Sequence, residues 1–343
     1  MDSLSALKRA GGRQQSLAVT GHSDLPQACY NSNRRELQRP SDMTLIDRPA
    51  PEWLVSVRDL NEAELAVQFG VSILDFKEPS AGALAAVGPA IWRAASHRVR
   101  QLVHPGDQQP AGPSGPQPAR PLRLSAALGE LPTAAALAAQ LPSEFEFAKA
   151  GPAGCSGEAE LLGHWRAVGM QLPPSVQLVA VAYADHQHAG CLPVETILRI
   201  AIDAGFQRFL IDTSGKTGPT SIQILGPDRL RALGRLAHQN SIWWSLAGSI
   251  KLSQRQHLDG IFKHGSDQQR AHGPDCIAVR GDVCRSDRTG TLCPDRLRAW
   301  RSSGWVKPNP SLSFSATALQ SSRSSRPPTP IPISAAIRSR RSD

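Results

Sequence analysis

Between residues 51 and 303 short apolar runs alternate with longer stretches in which Ala, Leu and charged residues recur at helical spacing. Trp53-Leu54-Val55-Ser56-Val57 opens the series and precedes a predicted helix over 59–69. Ser72 to Phe76 leads to a helix near 88–99, Leu122 to Leu128 to one at 132–141, and Phe145 to Ala148 to one at 157–169. Val176 to Ala182 is followed by a helix from Val194 to Ala204, and Arg208 to Asp212 by one over 226–239. Ile242 to Leu246 and Cys276 to Val279 supply a seventh and an eighth strand, whose helices the pattern does not delimit. Eight successive strand–helix units over about 250 residues predict an α/β fold, a (β/α)8 TIM barrel. An open doubly wound sheet is the competing arrangement, but no Gly-x-Gly-x-x-Gly follows the first strand.

The flanks lack this periodicity. Residues 1–50 and 304–343 are rich in Ser, Arg and Pro and read as disordered tails around a catalytic barrel at 51–303. A Pro/Gly-rich insertion at 103–121 falls between the second helix and the third strand, which is the bottom of a barrel, away from chemistry. The chain carries a net charge of +9, and the two tails hold seven of those charges, so the barrel is close to neutral. A basic balance points to nucleic acid or an anionic membrane, here only through the tails. Their aromatic residues are confined to Tyr30, Trp305 and Phe314. Phosphate contacts without stacking give weak, salt-sensitive binding, so no specific nucleic-acid partner is expected.

No segment approaches the roughly 20 apolar residues that span a bilayer, and Met1-Asp2-Ser3-Leu4 does not begin a secretory signal. Six cysteines (29, 155, 191, 276, 284 and 293) are too sparse for a disulfide scaffold and form no Cys-x-x-Cys or structural zinc spacing. His186-Gln187-His188 reads as a solvated loop. The expectation is a cytoplasmic protein with reduced thiols, no metal and no membrane partner.

Lysine is scarce in this chain, 7 against 31 arginines, so its positions are informative. Within 51–303 it stands at 77, 149, 216, 251 and 263. Lys77 follows the second predicted strand, Lys149 ends the fourth, Lys216 lies past the sixth and Lys251 past the seventh. In a barrel those ends share one mouth, where active sites are built. Arginine would serve if only positive charge were wanted, but it does not deprotonate in a protein and lysine does. Clustered ammonium groups in a partly dry pocket depress the pKa and make an amine nucleophilic toward carbonyls. Carboxylates are then needed to hold the remaining charge and move protons. Asp75 lies two residues before Lys77, on the same face of an extended strand. Asp212 stands four before Lys216, within reach through the turn Thr213-Ser214-Gly215. Taken singly, each pair also fits a salt bridge on the rim; four lysines and two aspartates at one mouth favour amine chemistry.

A phosphate site is the second feature. Ala247-Gly248-Ser249-Ile250 follows strand seven and Val279-Arg280-Gly281-Asp282 follows strand eight, the loops that often cradle phosphate in barrels. Gly248 and Gly281 allow close approach, Ser249 adds a hydroxyl and Arg280 a charge. Lys251 is placed near the phosphate on position alone. Asp185, at the end of strand five, fits either a further acid or a cap. The Trp243-Trp244 pair fits one inward and one outward packing residue, and Cys284 a buried one.

Read together, these segments resemble the (5-formylfuran-3-yl)methyl phosphate synthases, also called 4-(hydroxymethyl)-2-furancarboxaldehyde-phosphate synthases. The resemblance spans about 52–295 and is carried by Leu54-Val55-Ser56, Asp75-Phe76-Lys77-Glu78-Pro79 with Gly82-Ala83-Leu84, Ser125-Ala126-Ala127-Leu128-Gly129 and Ala148-Lys149-Ala150-Gly151. Ala182-Tyr183-Ala184-Asp185, Asp212-Thr213 with Lys216, Ala247-Gly248-Ser249-Ile250-Lys251 and Val279-Arg280-Gly281 with Val283-Cys284 complete it. It implies a cofactor-free barrel, a lyase condensing two molecules of glyceraldehyde 3-phosphate into a furan aldehyde phosphate that serves methanofuran biosynthesis. It implies Lys77 as the Schiff-base lysine and Lys149 as proton acceptor, with Asp75, Asp212 and Lys216 assisting. A homo-oligomer acting on a triose phosphate is the expected assembly and partner. Departures from the family pattern are Glu78, Ala85, Glu130 in place of a shorter acid, and an additional loop from His264 to Gly273. Two alternatives stand beside it: another Schiff-base aldolase or triose-phosphate isomerising enzyme on the same barrel, and a protein binding nucleic acid or an acidic partner through its basic tails.

Overall fold

Every residue of the first strand, Glu52–Val57, is buried, the pattern of a parallel strand covered on both faces. Its even and odd positions divide between two cores. Trp53, Val55 and Val57 pack outward under the helices, while Leu54 faces the barrel interior with Ile73, Ala127, Val179, Val181, Leu210 and Ala278. The computed structural model describes residues 50–103, 121–262 and 272–309. The expected tails at 1–49 and beyond 309, most of the insertion at 103–121, Lys263 and most of the 264–273 loop lie outside the described residues.

The strands are β1 (Glu52–Val57), β2 (Ile73–Phe76), β3 (Arg123–Glu130), β4 (Phe147–Gly151), β5 (Gln177–Tyr183), β6 (Arg208–Asp212), β7 (Trp243–Leu246) and β8 (Cys276–Val279). They form a closed barrel in chain order, with β1 pairing in parallel to both β2 and β8. Between them run α1 (Leu60–Gln68), α2 (Pro89–Val103), α3 (Leu131–Ala138), α4 (Glu158–Gly169), the single turn α5 (His186–Ala189), α6 (Val194–Asp203), α7 (Ser221–Gln239) and α8 (Arg255–Phe262), with α9 (Pro294–Ser302) after the last strand. This is the (β/α)8 barrel the alternation predicts. Among the described residues no helix is long and apolar enough to cross a membrane.

Several boundaries differ from the sequence expectation, and three of the differences have a plain physical reason. Strand four begins at Phe147 rather than Phe145, because Phe145 belongs to the outer core, edge-on to Phe76 at 6.0 Å. The sixth helix of the pattern starts five residues earlier, at Ser221. There Thr220 and Gln223 form a reciprocal capping box, and the Gly226-Pro227 pair kinks the helix rather than opening it. The barrel also continues past 303. Trp305 is buried against Trp300, their rings stacked at 5.1 Å, and Asn309 N–H donates to the Gly70 carbonyl at 2.7 Å.

One end of the barrel is plugged. At the first residues of their strands, Phe147 and Trp243 stack with centroids 6.5 Å apart. The guanidinium groups of Arg123 and Arg208 lie over these rings at 4.8–5.9 Å, and Arg123 pairs with Glu52. This plug leaves the C-terminal ends of the strands as the place for chemistry.

Candidate active site

At those ends β2, β4 and β6 each present a charged residue inward. Asp75 is 0% exposed, Asp212 2%, Lys149 4% and Lys77 8%, so these are not rim salt bridges. Lys149 Nζ lies 2.7 Å from Asp75 Oδ1, and Ser56 Oγ donates to Asp75 Oδ2 at 3.0 Å. Lys216 Nζ donates to Asp212 Oδ1 at 2.6 Å, and that oxygen also accepts the Thr213 N–H at 2.7 Å. Two carboxylate–lysine pairs therefore stand beside Lys77, which follows β2.

The spacing along the chain places Asp75 with Lys77; its ion pair is instead with Lys149, across β3. Lys149 does not end its strand either. It is the third of the five residues of β4, deep enough to be covered.

The charges of these pairs act on Lys77. Burial, the dominant influence, lowers its pKa from 10.5 to about 8. Lys216 and Lys149 push the same way, while Asp212 and Asp75 partly oppose them. At pH 7 such an amine is neutral in about one molecule in ten, against about one in 3,000 for an ordinary lysine. Burial alone would raise Asp212, but Lys216, Lys77 and the Thr213 N–H hold its carboxyl below the usual value. The group is thus a buried amine of lowered basicity flanked by two carboxylate–lysine pairs.

Asp185 acts as the cap. Its carboxylate accepts the N–H groups of Ser214 at 2.8 Å and Gly215 at 2.7 Å, which fixes the turn that returns Lys216 to Asp212.

The expected phosphate loops divide. After β7, Gly248 and Ser249 both adopt left-handed backbone, φ +93 and +57. A Cβ on Gly248 would come within 2.8 Å of Ser221 Cβ and 3.0 Å of Thr213 Cγ2, so glycine is required for this loop to pack on the start of α7. Lys251 is exposed and Gly281 opens a short 3-10 turn.

Arg280 is a correction. It is 5% exposed, and all five guanidinium N–H groups are occupied within the protein. Nε donates to the Arg288 carbonyl at 2.6 Å. Nη1 donates to the Ser56 carbonyl at 2.9 Å and to Glu62 Oε2 at 2.8 Å. Nη2 donates to Glu62 Oε1 at 3.2 Å and to the Gly290 carbonyl at 3.0 Å. Arg280 ties β8 to α1 and has no donor left for a phosphate.

Three residues escape a reading of roles from sequence. Arg288, on the loop after β8, donates to the carbonyls of Pro79 and Gly82 and so fastens that loop to the one after Lys77. Burial pulls its pKa down and the Asp212 charge opposes the shift, which puts Arg288 within electrostatic reach of the site. Tyr183 and Glu130 form the other unforeseen contact, phenol to Oε1 at 2.8 Å. Glu130 Oε2 also accepts the Ala153 N–H at 3.1 Å. This contact occupies the space over Gly151, where a Cβ would lie 2.1 Å from both Glu130 Oε2 and the Tyr183 hydroxyl. Gly151→Ala should therefore force the pair apart and lower stability by about 1–3 kcal/mol, read as a fall in Tm. An unchanged Tm would mean that the contact does not fill this space.

Among the described residues, Cys155, Glu160 and His164 bring potential metal-ligand atoms within 4.8 Å of one another. Burial, with Glu160 and Glu130, raises the Cys155 thiol to about 11, and Glu160 caps the Ser156 N–H at 3.1 Å. The arrangement serves the start of α4 and supplies no ready thiolate. Cys284 is buried, its Sγ 3.2 Å from the Arg280 carbonyl, and Trp244 packs in the outer core while Trp243 faces inward.

Comparison with known proteins follows the barrel almost from end to end. Residues 53–301 match the family described as 4-HFC-P synthase. The (5-formylfuran-3-yl)methyl phosphate synthase of Methanosarcina acetivorans is 29% identical over 243 residues, 68% of this chain and 91% of the relative. The protein of the same name from Methanothermobacter thermautotrophicus is 28% identical over 250 residues, 71% of this chain and 95% of the relative.

Proposed function

The chain belongs to the 4-HFC-P synthase family, and from that membership we propose that it condenses two molecules of glyceraldehyde 3-phosphate into 4-(hydroxymethyl)-2-furancarboxaldehyde phosphate through a Schiff base on Lys77. The observation that carries the reading is the setting of Lys77, a buried amine with a pKa of about 8 beside two carboxylate–lysine pairs.

One triose phosphate isomerises to its ketone form and its carbonyl condenses with the Lys77 amine, losing water. The resulting iminium acidifies the neighbouring carbon. Lys149, held by Asp75, takes up the proton; Asp212 and Lys216 hold charge and return protons on the other side. Aldol attack on the second aldehyde, cyclisation and elimination complete the aromatic ring. Two trioses thereby yield one furan, one orthophosphate and two waters, so the enzyme acts as a lyase. With Arg280 occupied, the Gly248–Ser249 turn and Lys251 are the phosphate-facing groups of this reading. The product's place is methanofuran biosynthesis, as the resemblance implies.

The test is product formation. Purified protein given glyceraldehyde 3-phosphate should generate furan absorbance and free phosphate in equal amounts. Phosphate release without a furan, or neither, would overturn the assignment.

A further inference from the structure

Tyr183 ends β5 on the interior face, paired in register with Asp212 on β6. Its hydroxyl lies over Gly151, two residues beyond Lys149 on the same face of β4. The phenol is thus bracketed by the strands that carry Lys149 and Asp212, and it hydrogen-bonds Glu130 at the end of β3. Tyr183 is fully buried, whereas Glu130 is half-buried, so the pair runs from the covered chamber toward the rim.

We propose that Tyr183 and Glu130 form a proton relay between the lysine chamber and the rim, the phenol contacting the bound triose phosphate and Glu130 acting behind it as a positioning residue. The relay rests on the triose condensation proposed above, which needs several proton transfers at oxygen that the lysines, occupied at nitrogen and carbon, do not all supply. In the outward direction a substrate hydroxyl gives its proton to the phenol oxygen while the phenol proton passes to the Glu130 carboxylate. In the inward direction Glu130 returns that proton through the phenol to a departing hydroxyl. The C–O bonding pair leaves with the oxygen and the departing group is water.

Two features of the chain accommodate this contact. Gly151 lacks the side chain that would exclude it, and the Ala153 N–H holds the far carboxylate oxygen. The charged and titratable groups facing the phenol are Glu130, Asp212 and Cys191; burial first, then the two carboxylates, keeps the phenol protonated well above its ordinary range. It therefore passes a proton on without resting as an anion.

The experiment uses the full chain, Tyr183→Phe and Glu130→Gln, with glyceraldehyde 3-phosphate as substrate and borohydride to trap the lysine adduct. In Gln the amide oxygen keeps the Ala153 N–H while the NH2 turns to donate to the phenol oxygen, so the side chain stays in place but accepts no proton. Trapping at Lys77 should match wild type in both variants, with kcat lower by on the order of 100-fold, KM nearly unchanged, and the double variant no worse than either single one. Either variant within about twofold of wild-type kcat would overturn the relay. So would trapping that falls in step with turnover, since the pair would then merely prop the chamber. Wild type that yields neither furan nor adduct sinks the lysine reading and the relay with it; wild type that yields both beside fully active variants sinks the relay alone.

Discussion

Lys77→Arg should lower kcat/KM by on the order of 10⁴-fold or more, because the guanidinium keeps the charge but forms no imine. In the wild type, kcat/KM should rise as pH passes about 8, where Lys77 gives up its proton. Removing the amine, unlike replacing it by a guanidinium, should not cost the fold stability. The folded pKa of about 8 lies below the ordinary 10.5, so between those values the unfolded chain binds more protons than the folded one. The cost of burying the ammonium is therefore fully present below pH 8 and is relieved as pH rises toward 10.5. Lys77→Met removes that cost, and Asp75 and Asp212 each keep a lysine partner. At pH 7 its Tm should equal or exceed that of wild type, and wild type should gain up to about 3 kcal/mol on the variant by pH 10.5. A variant that unfolds well below wild type at pH 7 would show that Lys77 supports the barrel rather than strains it.

The largest effect on stability is expected at Glu62. Its carboxylate is the partner of Arg280 at 2.8 Å, and both side chains are almost completely covered. Glu62→Ala would leave a guanidinium uncompensated in the interior between α1 and β8. Breaking a buried pair on one side costs about 3–5 kcal/mol, on the order of 10 °C in Tm for a domain of this size. Thermal unfolding at low and high salt checks it; a covered pair is poorly screened, so the loss should persist in salt. A change below about 1 kcal/mol would place the pair with exposed salt bridges instead.

The barrel is legible in the sequence because each strand is a short apolar run and each helix repeats at its own period. Strand four slips because Phe145 and Phe147 look alike; one packs under the helices and the other inside the barrel. Lys77, Lys149 and Lys216 stand out because lysine is rare here and these three lie in or just after strands, and Asp212 stands out as the carboxylate four residues before Lys216. What a linear reading does not reach is pairing across the barrel. Asp75 is two residues from Lys77, yet its partner is on β4. Arg280 looks like a phosphate ligand beside Gly281, but its carboxylate partner is 218 residues away. Tyr183 and Glu130 are 53 residues apart, and only the closure of neighbouring strands brings them together. The substitution of Glu130 for a shorter acid is a visible signal, without a partner in the sequence to give it meaning.

The most direct test of the account is where borohydride fixes the substrate. Wild type reduced in the presence of glyceraldehyde 3-phosphate should carry one triose phosphate per chain, on the peptide containing Lys77. Lys77→Ala should carry none while still binding the substrate. An adduct on Lys149 or Lys216, or one that survives in Lys77→Ala, would contradict the assignment of the buried amine at the end of β2 as the nucleophile.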